Sequence, residues 1–170
     1  MPSSREVCEH LFSCFDAIYE VLGASAPTLT HDAYVVRTYE TARAMGEVAL
    51  RLREYLGEVD AEPLEIVREV LLEAVAGDVE GAMVLFCFTV VVGPRLLVSL
   101  RDAREQGSLD EAALEVVNGA SEVLIAEMFA VGEAAIDAEP IEDEAWQARA
   151  RALSDLLDQA GNAESLGVSR

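Results

Sequence analysis

Residues 82–100 read Ala-Met-Val-Leu-Phe-Cys-Phe-Thr-Val-Val-Val-Gly-Pro-Arg-Leu-Leu-Val-Ser-Leu, and the reading of this stretch decides the fold. Three structures can carry so apolar a run. A bilayer span needs about 20 continuous apolar residues, and Gly93-Pro94-Arg95 interrupts this one in its middle. A strand would suit Val90-Val91-Val92 and the two phenylalanines, but no other segment offers a partner strand. A buried helix, kinked or broken at Gly93-Pro94, fits the run and its neighbours. This reading predicts a helix over 82–105 whose Arg101/Arg104 end is solvated.

The flanking segments repeat the helical period. Downstream, Gly107 closes the central helix, and Ser108-Leu109-Asp110-Glu111 has the form of a capping box. A helix from 109 to about 137 follows, with Leu109, Ala113, Val116 or Val117, Ala120, Leu124, Met128, Val131 and Ala135 inward. Beyond Pro140 a last helix covers about 142–159, with Trp146, Ala150, Leu153, Leu156 and Leu157. Upstream, Pro63 opens a short helix over 62–76 that buries Leu64, Val67, Leu71 and Val75 behind an acidic stripe of Glu65, Glu69 and Glu73.

The segment 31–56 has the most regular spacing. Val35, Thr38, Ala42, Met45, Ala49, Leu52 and Leu56 step by three and four, a seam that demands helix-on-helix packing. A second stripe of Val36, Tyr39, Val48 and Tyr55 gives this helix a neighbour on another side. The first helix covers 4–22, capped by Ser3 or Ser4 and ended by Gly23, with Val7, Leu11, Cys14 or Phe15, Ile18 and Leu22 inward.

The expected fold is therefore all-α: a single-domain bundle of six to seven helices over 1–160, around a buried central helix, with a frayed tail at 161–170. A chain of 170 residues can bury roughly two-thirds of its unfolded surface without staples.

Charge narrows the function. Thirty-two acids face twelve bases, all arginine, for a net charge of −20. Phosphate recognition needs a basic patch that releases counterions, and the arginines are scattered among acids. Direct nucleic-acid binding and docking on an anionic membrane are both disfavoured. The N-terminus lacks the pattern of a signal peptide. With three cysteines, Cys8, Cys14 and Cys87, the expected setting is cytoplasmic with reduced thiols.

No motif of catalysis is legible. The chain has no Gly-rich phosphate loop, no His-Glu-x-x-His and no paired-cysteine metal spacing. Glu-x-x-His is also missing, since Val7 and Thr28 precede His10 and His31 by three, which excludes the usual di-iron bundle site. His10 and Cys14 share a helix face, but Cys14 reads as core with His10 at its edge. No metal or cofactor is expected.

The candidate binding residues are Arg95, Glu127, Tyr34, Arg37 and Tyr39. Arg95 lies inside the most apolar stretch and Glu127 inside another, Leu124–Val131. A buried guanidinium demands a partner, which leaves three readings: Arg95 points to solvent at the helix break with Glu127 on an exposed strip, the two pair in the interior or at an interface, or Arg95 binds an anion in a pocket. Tyr34, Arg37, Tyr39 and Arg43 cluster on one helix and could line a pocket. Function is expected to run through protein–protein contacts: a regulatory or adaptor protein, a homodimer by its surplus apolar surface, whose acidic face takes a basic protein partner. The alternative is a small-molecule binder with a pocket beside the 82–105 helix.

Overall fold

The structure is a computed structural model that describes residues 2–29, 32–58, 85–136 and 144–161. Among the described residues the regular structure is helix, and no strand occurs. Five α-helices follow in order: α1 (Ser4–Ser25), α2 (Asp32–Leu56), α3 (Gly93–Glu105), α4 (Glu111–Ile136) and α5 (Glu144–Gly161). The all-α expectation holds. Of the six to seven helices expected, five lie within the described residues, and the segment 62–76 and the tail from 162 fall outside them.

α1 begins at a capping box. The Glu6 amide donates to Ser3 Oγ at 3.3 Å, and the Ser3 amide donates back to Glu6 Oε2 at 2.7 Å. Gly23 does not end the helix as expected. α1 runs on to Ser25, and a 3₁₀ turn over Ala26–Thr28, with Pro27 inside it, makes the stop. Proline lacks the amide that helix continuation needs, whereas a lone glycine only weakens a helix.

α2 packs antiparallel along α1. Tyr19 lies against Gly46, and Arg5 at the start of α1 donates to the carbonyls of Leu56 and Glu58 at the end of α2, at 3.0 and 3.2 Å. Those carbonyls have no partner within the helix, so Arg5 serves as a cap from outside. Gly57, at φ 73°, supplies the left-handed residue that lets the chain leave α2. Thr38, Ala42, Met45, Ala49, Leu52 and Leu56 are buried as the seam predicts, and Val35 is half-buried. The second stripe splits. Val48 is buried and Tyr55 half-buried, while Val36 and Tyr39 face solvent.

Of the kink or break expected at Gly93-Pro94, the break does not occur. The backbone stays helical from 85 to 105, with a π-helical turn over Phe88–Val92 just before Gly93-Pro94. The Gly93 amide reaches back five residues to the Phe88 carbonyl. Pro94 can donate no bond and its ring crowds the preceding turn, so a widened turn is one way to keep the helix going. Nor is the run buried all round. Leu85–Phe88, Val91–Gly93, Leu96 and Leu100 are buried, whereas Val90 and Val98 are exposed.

α4 starts two residues later than the sequence suggests. Asp110, not Ser108, is its cap, with Oδ1 accepting the Ala113 amide at 2.8 Å. Asp110 Oδ2 also accepts the Tyr55 hydroxyl at 2.6 Å, and its amide donates to Ser4 Oγ at 2.8 Å. One end of the bundle is thereby clasped by α1, α2 and α4 together. Ala113, Val117, Ala120, Leu124 and Val131 carry α4 into the core, with Val117 rather than Val116 the inward valine.

Candidate docking surfaces

The five candidate residues do not gather into one site. A helix turns about 100° per residue, so positions 37 and 39 point to nearly opposite sides of α2. Arg37 turns towards α4, where Nη2 meets Glu127 Oε2 at 2.8 Å, while Nη1 meets Oε2 of Glu40 on α2 itself at 3.2 Å. Thr41 Oγ1 donates to the same Glu127 oxygen at 2.8 Å. Tyr34 packs at the edge of the core, half-buried. Tyr39 alone, with Arg43, faces the opposite way.

Of the readings open for Arg95 and Glu127, the mutual pair does not form. Arg95 Nη2 pairs with Asp158 Oδ1 at 2.7 Å and donates to the Ser154 carbonyl and hydroxyl at 3.1 and 2.9 Å, tying α3 to α5. Both expected charges have partners, but each partner sits on a helix the linear sequence did not pair with it. In sequence Arg37 offers a pocket or packing residue, and Asp158, a single acid near a helix end, carries no distinguishing signal.

The three cysteines are free and buried. Burial pushes the Cys8 and Cys87 thiols up to about 11 and the Cys14 thiol to about 12. Cys14 Sγ lies 3.7 Å from His10 Nε2. Burial also lowers the His10 pKa, which keeps the ring neutral. Among the described residues no group of three or more His, Cys, Asp or Glu is placed to hold a metal ion. Among the same residues no helix is long and apolar enough to cross a membrane.

An open groove of about 700 Å³ runs between α1 and α2. Tyr19 and Tyr39 wall it, Gly23, Ala24 and Ala42 leave room in it, and Glu20 and Arg43 add charge. Among the described residues its lining belongs to α1 and α2, and none of residues 85–105, beside which the alternative reading puts a pocket, is among them. Side-chain size makes the depression: glycine and alanine stand where two aromatic neighbours project.

The groove continues onto the outer face of α2, where Val36, Tyr39 and Leu50 are exposed. This helix holds four acids (Asp32, Glu40, Glu47, Glu54) and four arginines (Arg37, Arg43, Arg51, Arg53), so its own charge sums to zero in a chain of −20. α4 is the opposite case. It carries five glutamates and no base, and its outer face exposes Leu114, Ile125 and Phe129. Composition alone could have flagged both faces, had charge been summed helix by helix rather than over the whole chain.

No protein-family model matches this chain, and neither the curated proteins nor the solved structures hold a match to it.

Proposed function

We propose that this protein is a non-enzymatic regulatory or adaptor protein that acts through helical protein–protein contacts and self-associates through the outer face of α2. The observation that carries the reading is the exposed Val36–Tyr39–Leu50 face on a charge-neutral helix. Apolar surface favours burial, and charge decides what can cover it. Two copies of a chain at −20 repel one another over most of their surface. α2 is where a second copy can approach without stacking acid on acid.

An antiparallel α2–α2 pairing suits the pattern. It brings Leu50 of one copy to the groove between Tyr19 and Tyr39 of the other, and the two-fold axis repeats the contact. Glu47 and Arg43 then have opposite charges within reach at the rim. Such an interface is isologous, the commonest arrangement for homo-oligomers.

Sedimentation at micromolar concentration tests the reading. The wild-type chain is expected to run as a dimer, and Val36→Asp combined with Leu50→Asp as a folded monomer. A wild-type chain that sediments only as monomer overturns self-association.

The groove volume of about 700 Å³ supports a second reading, since small-molecule sites span about 300–1,000 Å³. Among the described residues the groove is lined by two helices and is open to solvent, which suits a helix better than an enclosed ligand. A ligand that raises the melting temperature without dimer formation would favour this second reading.

A further inference from the structure

The outer face of α4 has a different chemistry from α2. Leu114, Ile125 and Phe129 recur at spacings of 11 and four, which places them on one strip of the helix. Phe129 is 72% exposed. The strip from Leu114 to Phe129 is about 22 Å long at 1.5 Å per residue, with the half-buried Asn118 and Ser121 between its apolar ends. Glu115, Glu122 and Glu133, all exposed, follow one another at seven and 11 residues along one flank of it. No Arg lies anywhere on α4, and its remaining inner acid, Glu127, is taken by Arg37 and Thr41.

We propose that this face docks an amphipathic helix of a partner protein that sets Leu-like side chains on the strip and Lys or Arg along one flank. An apolar strip with a one-sided row of acids recognises an apolar stripe with a one-sided row of bases. The partner's bases fall at the same spacings of seven and 11 residues, so the row fixes register and direction as well as attraction.

Charge argues against the other occupants. A second copy would bring the same glutamates against their counterparts. Residues 59–84 of this chain carry seven acids against one arginine, so they bring the same repulsion. Phosphates of a nucleic acid or membrane are repelled outright. The proposal concerns a different helix from the self-association face and stands whether or not the chain dimerises.

The test uses the full chain and a labelled helical Lys/Leu peptide of about 18 residues, long enough to cover the strip. Leucines occupy one stripe and lysines one flank. One control is a scrambled peptide of equal composition, and another replaces Lys with Glu. Fluorescence anisotropy is expected to show binding of the patterned peptide, weaker binding of the scrambled one and none of the acidic one. Phe129→Asp should weaken binding at least about tenfold, the size of a hot-spot loss. Val98→Asp, which adds the same charge on α3, should not. Neutralising Glu115, Glu122 and Glu133 to Gln together should lower affinity and flatten its salt dependence.

Equal binding of patterned and scrambled peptides overturns the proposal, because charge alone then suffices. So does equal behaviour of Phe129→Asp and Val98→Asp. A fall of several degrees in the melting temperature of Phe129→Asp would mean that the chain itself covers the face. Conversion of a dimer to monomer by Phe129→Asp would mean that a second copy does. Loss of dimerisation in the α2 variants, with peptide binding intact, would leave this inference standing.

Discussion

Glu127 on α4 accepts from both Arg37 and Thr41 of α2, each at 2.8 Å through the same carboxylate oxygen. The side chains of Arg37 and Glu127 are 18% and 17% exposed. The bond therefore works in a poorly hydrated seam, where losing one partner leaves the other charge stranded. Nearby, Arg37 Nε and the hydroxyl of Thr38 are buried with no hydrogen-bond partner. The seam already contains polar groups that are not fully satisfied, so an apolar replacement of the whole pair gives up less than the loss of either half.

The first prediction is a double-mutant cycle on that pair. Arg37→Leu and Glu127→Leu should each lower unfolding free energy by about 2 kcal/mol, because each strands a largely buried partner. The double variant should lie within about 1 kcal/mol of wild type. Denaturant melts give all three values. Additive losses would show that the two residues act independently.

A second prediction contrasts two glycines. A Cβ at Gly93 would lie 2.6 Å from Met128 Sδ and 3.1 Å from the Phe88 carbonyl, in the buried contact of α3 with α4. A Cβ at Gly46 would lie 2.9 Å from the Tyr19 ring, but that ring borders the open groove and can swing into it. Gly93→Ala should therefore destabilise by about 1–3 kcal/mol, as overpacking does. Gly46→Ala should be neutral or stabilising by up to about 1 kcal/mol from helix propensity. Met128→Ala in the Gly93→Ala background should recover part of the loss. Equal thermal shifts for the two glycine variants would contradict this account.

Much of this was legible in the residue spacing. The seam from Thr38 to Leu56 and the inward set from Ala113 to Leu124 follow directly from a period near 3.6, which local sequence encodes. The π turn was not legible. Gly-Pro within an apolar run announces trouble for a helix, but whether the chain breaks or widens depends on what packs around it, here Met128 against Gly93. Partners across helices were not legible either. Arg95 and Glu127 looked matched because both stood alone in apolar segments. Which acid reaches which base is set by how the helices stack, and Asp158 and Arg37 lie closest. The groove is not legible in the sequence, because it arises from small residues on two helices facing each other, a property of neither segment alone.

The cysteines should be inert in the folded chain. With thiols at about 11 to 12, roughly one in a thousand or fewer is ionised at pH 8, and only the thiolate attacks a disulfide reagent. All three side chains are also buried. Titration with a chromogenic disulfide should show almost no fast reaction in native buffer and three equivalents in denaturant. A rapid native equivalent would mean that α1 or the 85–87 segment opens far more readily than its packing implies.

The last prediction concerns acid. Burial holds the His10 pKa below its ordinary 6.5, so the folded state prefers the neutral ring. Once unfolded, the same histidine titrates near its ordinary value. Between the two values the unfolded chain binds more protons, and stability must fall as pH drops. The full contribution is present above about pH 6.5, and the loss levels off below the folded value. Other groups add their own slopes. Asp16, its carboxyl raised by burial and by Glu20, gains stability on acidification, and the overall negative charge relaxes in the same direction. A comparison isolates His10: from about pH 7.5 to 5.5, wild type should lose stability relative to His10→Gln, whose side chain does not titrate. The stability difference between them should stay nearly constant above about pH 6.5 and shift in favour of the variant below it. Parallel curves would show that His10 meets water in the folded chain and that its burial beside Cys14 is not maintained in solution.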